Sequence, residues 1–72
     1  MFSYRPFWET LKKLNISQYQ LIKYAKVYPE TLSRIRRGQS LTLNTLNNLC
    51  NILHCRIEDI VEHIPDEEEF DE

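Results

Sequence analysis

Glu30, Ser33, Arg34 and Arg37 flank the apolar pair Leu32 and Ile35 at spacings of three and four residues. On a helical wheel these four polar side chains occupy the face that the apolar pair leaves free. A helix of this kind presents guanidinium, hydroxyl and carboxylate groups together, to something anionic. A second set, Cys50, His54, Cys55 and His63, has the side chains of metal ligands. Zinc ligands come as C-x2-4-C and H-x3-5-H pairs, and the spacing here fits that pattern poorly. Cys50 also falls on an apolar stripe, where a thiol behaves as a small core hydrophobe. No metal and no cofactor is implied. Neither Ser-His-Asp spacing nor a glycine-rich phosphate loop is present, and 72 residues leave little room for a substrate cleft. These residues describe a binding module rather than an enzyme.

The polar face needs rigid elements behind it. Ser17 is a good N-cap, and Gln20 three residues on completes a capping-box pattern. Leu21, Ile22 and Ala25 then turn one face of a short helix inward. The chain breaks near Lys26 and Val27, and Pro29 restarts it, since proline is well tolerated in a first helical turn. Gly38 stops the second helix in a left-handed conformation. Upstream, a helix from Pro6 to Leu14 places Phe7, Leu11 and Leu14 on an inward stripe and ends at Asn15. Downstream, Thr42 caps a helix whose Leu46, Leu49, Cys50 and Leu53 repeat at three and four residues. A short fifth helix is expected from Ile57 to His63, with Ile57, Ile60, Val61 and Ile64 apolar, and Pro65 stops it. Met1 to Arg5 reads as an arm. Asp66 to Glu72 is nearly all acidic and is expected to be disordered.

A net charge of −2 conceals a segregation of signs. All nine Lys and Arg fall in residues 1–56 with only Glu9 and Glu30, a balance of +7. Residues 57–72 hold the other nine acids and no Lys or Arg, a balance of −9. A basic body is the electrostatic footprint of a nucleic-acid binder. One glycine and three prolines in a chain that is 42% hydrophobic indicate compact helices with short connections. One small domain is expected, burying about 60% of its unfolded surface. No run approaches the ~18 apolar residues of a membrane span, and the first residues lack a signal-peptide core. A cytoplasmic address is expected. Two cysteines five residues apart, within or beside one helix, do not suggest a secreted disulfide framework.

The stretch SQYQLIKYAKVYPETLSRIRRG, from Ser17 to Gly38, resembles the Cro/repressor-type (XRE-type) helix-turn-helix family. Gln18 opens the first helix of the motif, Val27 lies in the turn, and Leu32 and Ile35 are the buried pair of the second. RRGQSLTLNTLNNLCNILHCRIEDIV resembles the family's two remaining helices, so the likeness spans roughly residues 7–64. Three places depart from the family pattern, one being Tyr28-Pro29-Glu30, where the start of the second helix is usually Ser/Gln-like. Ile22 stands where a small residue is usual, and Lys26 where glycine is usual because the turn needs positive φ. A non-glycine residue there costs about 1 kcal/mol. The resemblance implies an all-α, five-helix repressor-like domain over 1–64, followed by an acidic tail over 65–72. It places backbone contacts to DNA at Gln18, Arg36, Arg37, Thr42 and Asn44. For Arg36 and Arg37 the alternative is helix-terminal charge favouring the macrodipole.

With double-stranded DNA as the partner, Arg34 is the best base reader, because a guanidinium bonds both guanine acceptors at ~1–3 kcal/mol of discrimination. Ser33 and Thr31 can meet bases or thymine methyls. Glu30 accepts from cytosine but repels phosphate, and Tyr28 can stack on a sugar or bond a phosphate. The expectation is a sequence-specific transcriptional regulator of repressor type, with the helix at about 29–37 in the major groove. A homodimer would place two such helices about 34 Å apart. The short fifth helix and Phe2, Tyr4, Phe7 and Trp8 are the available dimer surfaces, with core as the alternative for Trp8. The chief rival is a protein-interaction module on the same fold, an antitoxin or adaptor, which Pro29, Glu30 and the acidic tail favour.

Overall fold

Each helix boundary is set by a local device that the side chains supply. The computed structural model describes residues 1–66. Helix α1 spans Arg5–Leu14, with Pro6 in its first turn, and Asn15 ends it at φ 59°. Asparagine tolerates that left-handed conformation better than most residues. Helix α2 spans Gln18–Lys23. The Gln20 N–H donates to Ser17 Oγ at 3.1 Å and the Ser17 N–H donates to Gln20 Oε1 at 2.8 Å, a reciprocal cap that satisfies two otherwise orphaned donors.

After α2, Lys26 adopts φ 61° and the Val27 N–H bonds the Leu21 carbonyl at 3.0 Å. Helix α3 spans Pro29–Arg37, entered through an extended Tyr28 and stopped by Gly38 at φ 73°. Helix α4 spans Leu43–Leu53; the Thr45 N–H donates to the capping Thr42 Oγ1 at 3.1 Å, and His54 ends the helix at φ 54°.

The expected fifth helix over Ile57–His63 is not formed. A single 3-10 turn, Ile57–Asp59, is followed by strand β2, Glu62–His63, which pairs antiparallel with β1, Phe2–Ser3. Phe2 lies opposite His63 and Ser3 opposite Glu62. Of the arm expected over Met1 to Arg5, Phe2–Ser3 therefore form a strand and Arg5 opens α1. The ladder continues one residue further, where the Ile64 N–H donates to the Met1 carbonyl at 2.7 Å. Arg5 clamps the pairing through Nε and Nη2 to the two Glu62 carboxylate oxygens, each at 3.0 Å. A seven-residue helix is marginal on propensity alone. Here Thr10 Oγ1 caps the Asp59 carbonyl at 2.7 Å, and the Met1–Ser3 backbone supplies the partners that a helix would have found internally.

The four helices build one core with two residues between elements: Phe7 and Leu11 of α1, Leu21 of α2, Val27 of the turn, Leu32 and Ile35 of α3, Leu49 and Leu53 of α4, and Ile60 after the 3-10 turn. Phe7 and Ile60 are completely buried. Trp8 packs edge-on against Phe7, ring centroids 5.0 Å apart, and is half-buried against the core. Leu14, Ile22, Ile57 and Ile64, expected on apolar faces, are exposed. Residues 67–72, most of the acidic tail, lie outside the described residues. No helix among the described residues is long and apolar enough to cross a membrane.

Candidate nucleic-acid interface

Helix α3 faces away from the core along a stripe made by Glu30, Arg34 and Arg37, because Leu32 and Ile35 take its buried side. The Glu30 carboxylate lies 3.7 Å from Arg34 Nε, an i,i+4 pair exposed to solvent. A pair so exposed adds little to stability, but it restrains the direction of the guanidinium. Tyr28, at the extended residue before α3, is the most exposed aromatic in the chain's described part, at 76%.

A groove of about 380 Å³ runs between α3 and the connection to α4. Tyr28, Glu30, Thr31, Arg34 and Thr42 line it, so five of the ten residues expected to meet DNA converge there. Thr31 is half-buried at its floor. Ser33, expected on the outward face, is half-buried and stands outside the groove. Asn44 is exposed in the first turn of α4, just beyond the groove wall. The Thr42 hydroxyl is already engaged: it accepts from the Thr45 N–H and donates to Thr45 Oγ1 at 3.0 Å. The polar groups that this end of α4 offers outward are the first-turn N–H groups of Leu43 and Asn44, which no intrahelical carbonyl reaches.

On the other side of α3, Arg36 Nη1 donates to Gln18 Oε1 at 2.6 Å. This bond joins the first residue of α2 to the last turn of α3, so two expected backbone-contacting residues are brought together from 18 positions apart. One guanidinium N–H is used, and four remain. Arg37, also exposed, completes a basic C-terminal end of α3 with Arg34 and Arg36.

Three further residues shape the site without having been expected there. Ser40, Leu41 and Thr45 line the groove. Thr45 was legible in principle as the N3 position that Thr42 caps, whereas Ser40 and Leu41 lie in a loop whose path only packing decides. That loop is tied down by Tyr4, whose hydroxyl donates to the Gln39 carbonyl at 2.7 Å. Burial pushes the Tyr4 hydroxyl above its ordinary range, partly offset by a hydrogen bond with the Leu41 backbone. Cys50, His54, Cys55 and His63 do not assemble into a metal site: among the described residues no group of three or more His, Cys, Asp or Glu could hold a metal ion.

A family model described as the Cro/C1-type HTH DNA-binding domain matches residues 7–66 of this chain. The fold is also similar to that of a solved structure, the transcriptional regulator VanUg (crystal form II), at a TM-score of 0.79 and 25% sequence identity. That alignment covers 90% of this chain and 87% of VanUg. No curated protein matches the sequence.

Proposed function

The chain belongs to the Cro/C1-type helix-turn-helix DNA-binding family, and on that premise we propose that it is a sequence-specific, double-stranded DNA-binding transcriptional regulator acting as a repressor. The observation that carries this reading is the arrangement around α3. A base-reading stripe of Glu30 and Arg34 sits in an open groove, with Tyr28 at its mouth, between two positions able to hold phosphates. One is the Gln18–Arg36 pair with neighbouring Arg37, and the other is the first turn of α4 at Thr42 and Asn44. Phosphate contacts on both flanks fix the register of a helix in the major groove, and the stripe between them reads the bases.

Within this reading Arg34 bonds guanine, and Glu30 accepts from a neighbouring cytosine while holding the guanidinium in place. Thr31 and Ser33, half-buried, meet only what projects deepest, such as a thymine methyl. Residues 1–64 form the DNA-binding unit and 65–72 an acidic tail.

A single α3 reads few base pairs, so a homodimer is part of the proposal. Of the N-terminal aromatics, Phe7 is buried and Tyr4 and Trp8 pack against the core, which leaves Phe2 for its surface. Met1, Phe2, Leu43 and Ile57 are exposed around one apolar groove of about 620 Å³, the best available face for a second copy.

Selecting bound duplexes from a random pool tests the function. One enriched motif, bound with an affinity that falls steeply with salt, is the expected result. The rival reading, a protein-interaction module of the antitoxin or adaptor kind, is favoured by the same apolar groove and by the Glu30 carboxylate on α3. It gains the ground if no motif is enriched and duplex binding is absent even at low salt.

A further inference from the structure

Cys50 and Cys55 have no place in the DNA-binding reading, yet the fold brings them together. Cys50 lies in the last turn of α4, His54 reverses the backbone at φ 54°, and the Cys55 N–H then donates to the Cys50 carbonyl at 3.1 Å. This 6→1 bond is the Schellman closure of a helix end, in which the side chains of these two positions commonly touch, as a disulfide between them requires. Both residues are half-buried against the core and both are free thiols.

We propose that Cys50 and Cys55 form a reversible thiol–disulfide couple, a redox modification site that latches the C-terminal end of α4. The oxidant is a small-molecule disulfide, RSSR. Cys50 Sγ, as the thiolate, attacks one sulfur of RSSR; the S–S bond breaks, and RS⁻ leaves and takes up the proton that Cys50 lost. Cys55 then gives up its proton, its thiolate attacks Cys50 Sγ in the mixed disulfide, and the second RS⁻ leaves with that proton. Two protein thiols become one disulfide, and one RSSR becomes two RSH.

The order of attack follows from the surroundings. Burial, with smaller contributions from the neighbouring Cys50 and Asp59, pushes the Cys55 thiol up to about 11. Cys55 therefore keeps its proton while Cys50 reacts, and it acts as the resolving partner once Cys50 carries no charge. The couple lies at the opposite end of α4 from Thr42, so the groove beside α3 stays open in either state.

The test uses the full chain, reduced and then equilibrated in glutathione buffers of rising oxidised fraction, with acid quenching, alkylation and mass analysis. The expected result is a monomer that loses two hydrogens, becomes refractory to alkylation at both cysteines and reverts with excess reduced glutathione. Cys55→Ser should instead accumulate a glutathione adduct on Cys50, and Cys50→Ser should react far more slowly. The proposal is overturned if the unmodified chain carries only glutathione adducts or intermolecular dimers, or if both thiols stay alkylatable at every ratio. An adduct trapped on Cys55 in the Cys50→Ser chain, with Cys55→Ser inert, overturns the order of attack.

Discussion

Gln18 Oε1 accepts a 2.6 Å hydrogen bond from Arg36 Nη1, and through it the start of α2 positions a charge at the end of α3. The two residues act as one unit. Gln18 sets where the Arg36 guanidinium points, while the charge that a phosphate would feel is Arg36's own.

The two halves of that unit are separable. Gln18→Ala should weaken duplex binding by about 1 kcal/mol on every sequence, because the bond that positions the Arg36 guanidinium is lost while the net charge is kept. Its salt dependence should be unchanged. Arg36→Ala should also weaken all sequences, but with the slope of log affinity against log salt reduced by about 0.9. Binding isotherms at four or five salt concentrations compare them. A change in sequence preference on Gln18→Ala would show that Gln18 reads bases.

Arg34→Ala should abolish preference for the selected site, at about 1–3 kcal/mol, while random duplex is bound nearly as before. Arg34 and its partner Glu30 are solvent-exposed, so unfolding should be little affected. Equal losses on both duplexes would mean that Arg34 holds phosphate.

Leu32→Ala should lower stability by about 2–5 kcal/mol, since it empties a site that is 1% exposed in the centre of the core. Thermal or denaturant unfolding measures it. An unchanged midpoint would mean that α3 is rotated about its axis, and every outward assignment on that helix would move with it.

Lys26→Gly should raise stability by about 0.5–1 kcal/mol. The residue sits at φ 61°, where a Cβ is strained, and relief of that strain exceeds the extra unfolded-state freedom that glycine brings. A lower unfolding midpoint would show instead that the lysine side chain makes a stabilising contact.

Much of this architecture was legible because its signals are local. The Ser17–Gln20 capping box, the Thr42 cap and the Gly38 stop each act within three or four residues, so residue type and spacing suffice to place them. The buried partners Leu21, Leu32, Ile35, Leu49 and Leu53 follow from helical periodicity in the same way. Periodicity was misleading at Ile57–Ile64, where an apolar spacing compatible with a helix belongs to a 3-10 turn and a strand. Nothing near those residues signals that their backbone partners lie at Met1–Ser3.

The sequence by itself determined the four helices, the turn between α2 and α3 and the polar stripe of Glu30, Arg34 and Arg37, because each depends on neighbours a few bonds away. Only the tertiary structure decided the β1–β2 ladder, the Gln18–Arg36 bond and the groove shared by Tyr28, Arg34 and Thr42. Those features join residues distant in the chain, and their pairing becomes favourable only after the common core has brought the elements together. The sequence specifies that core as a set of apolar positions, while packing alone selects which polar groups end up side by side above it.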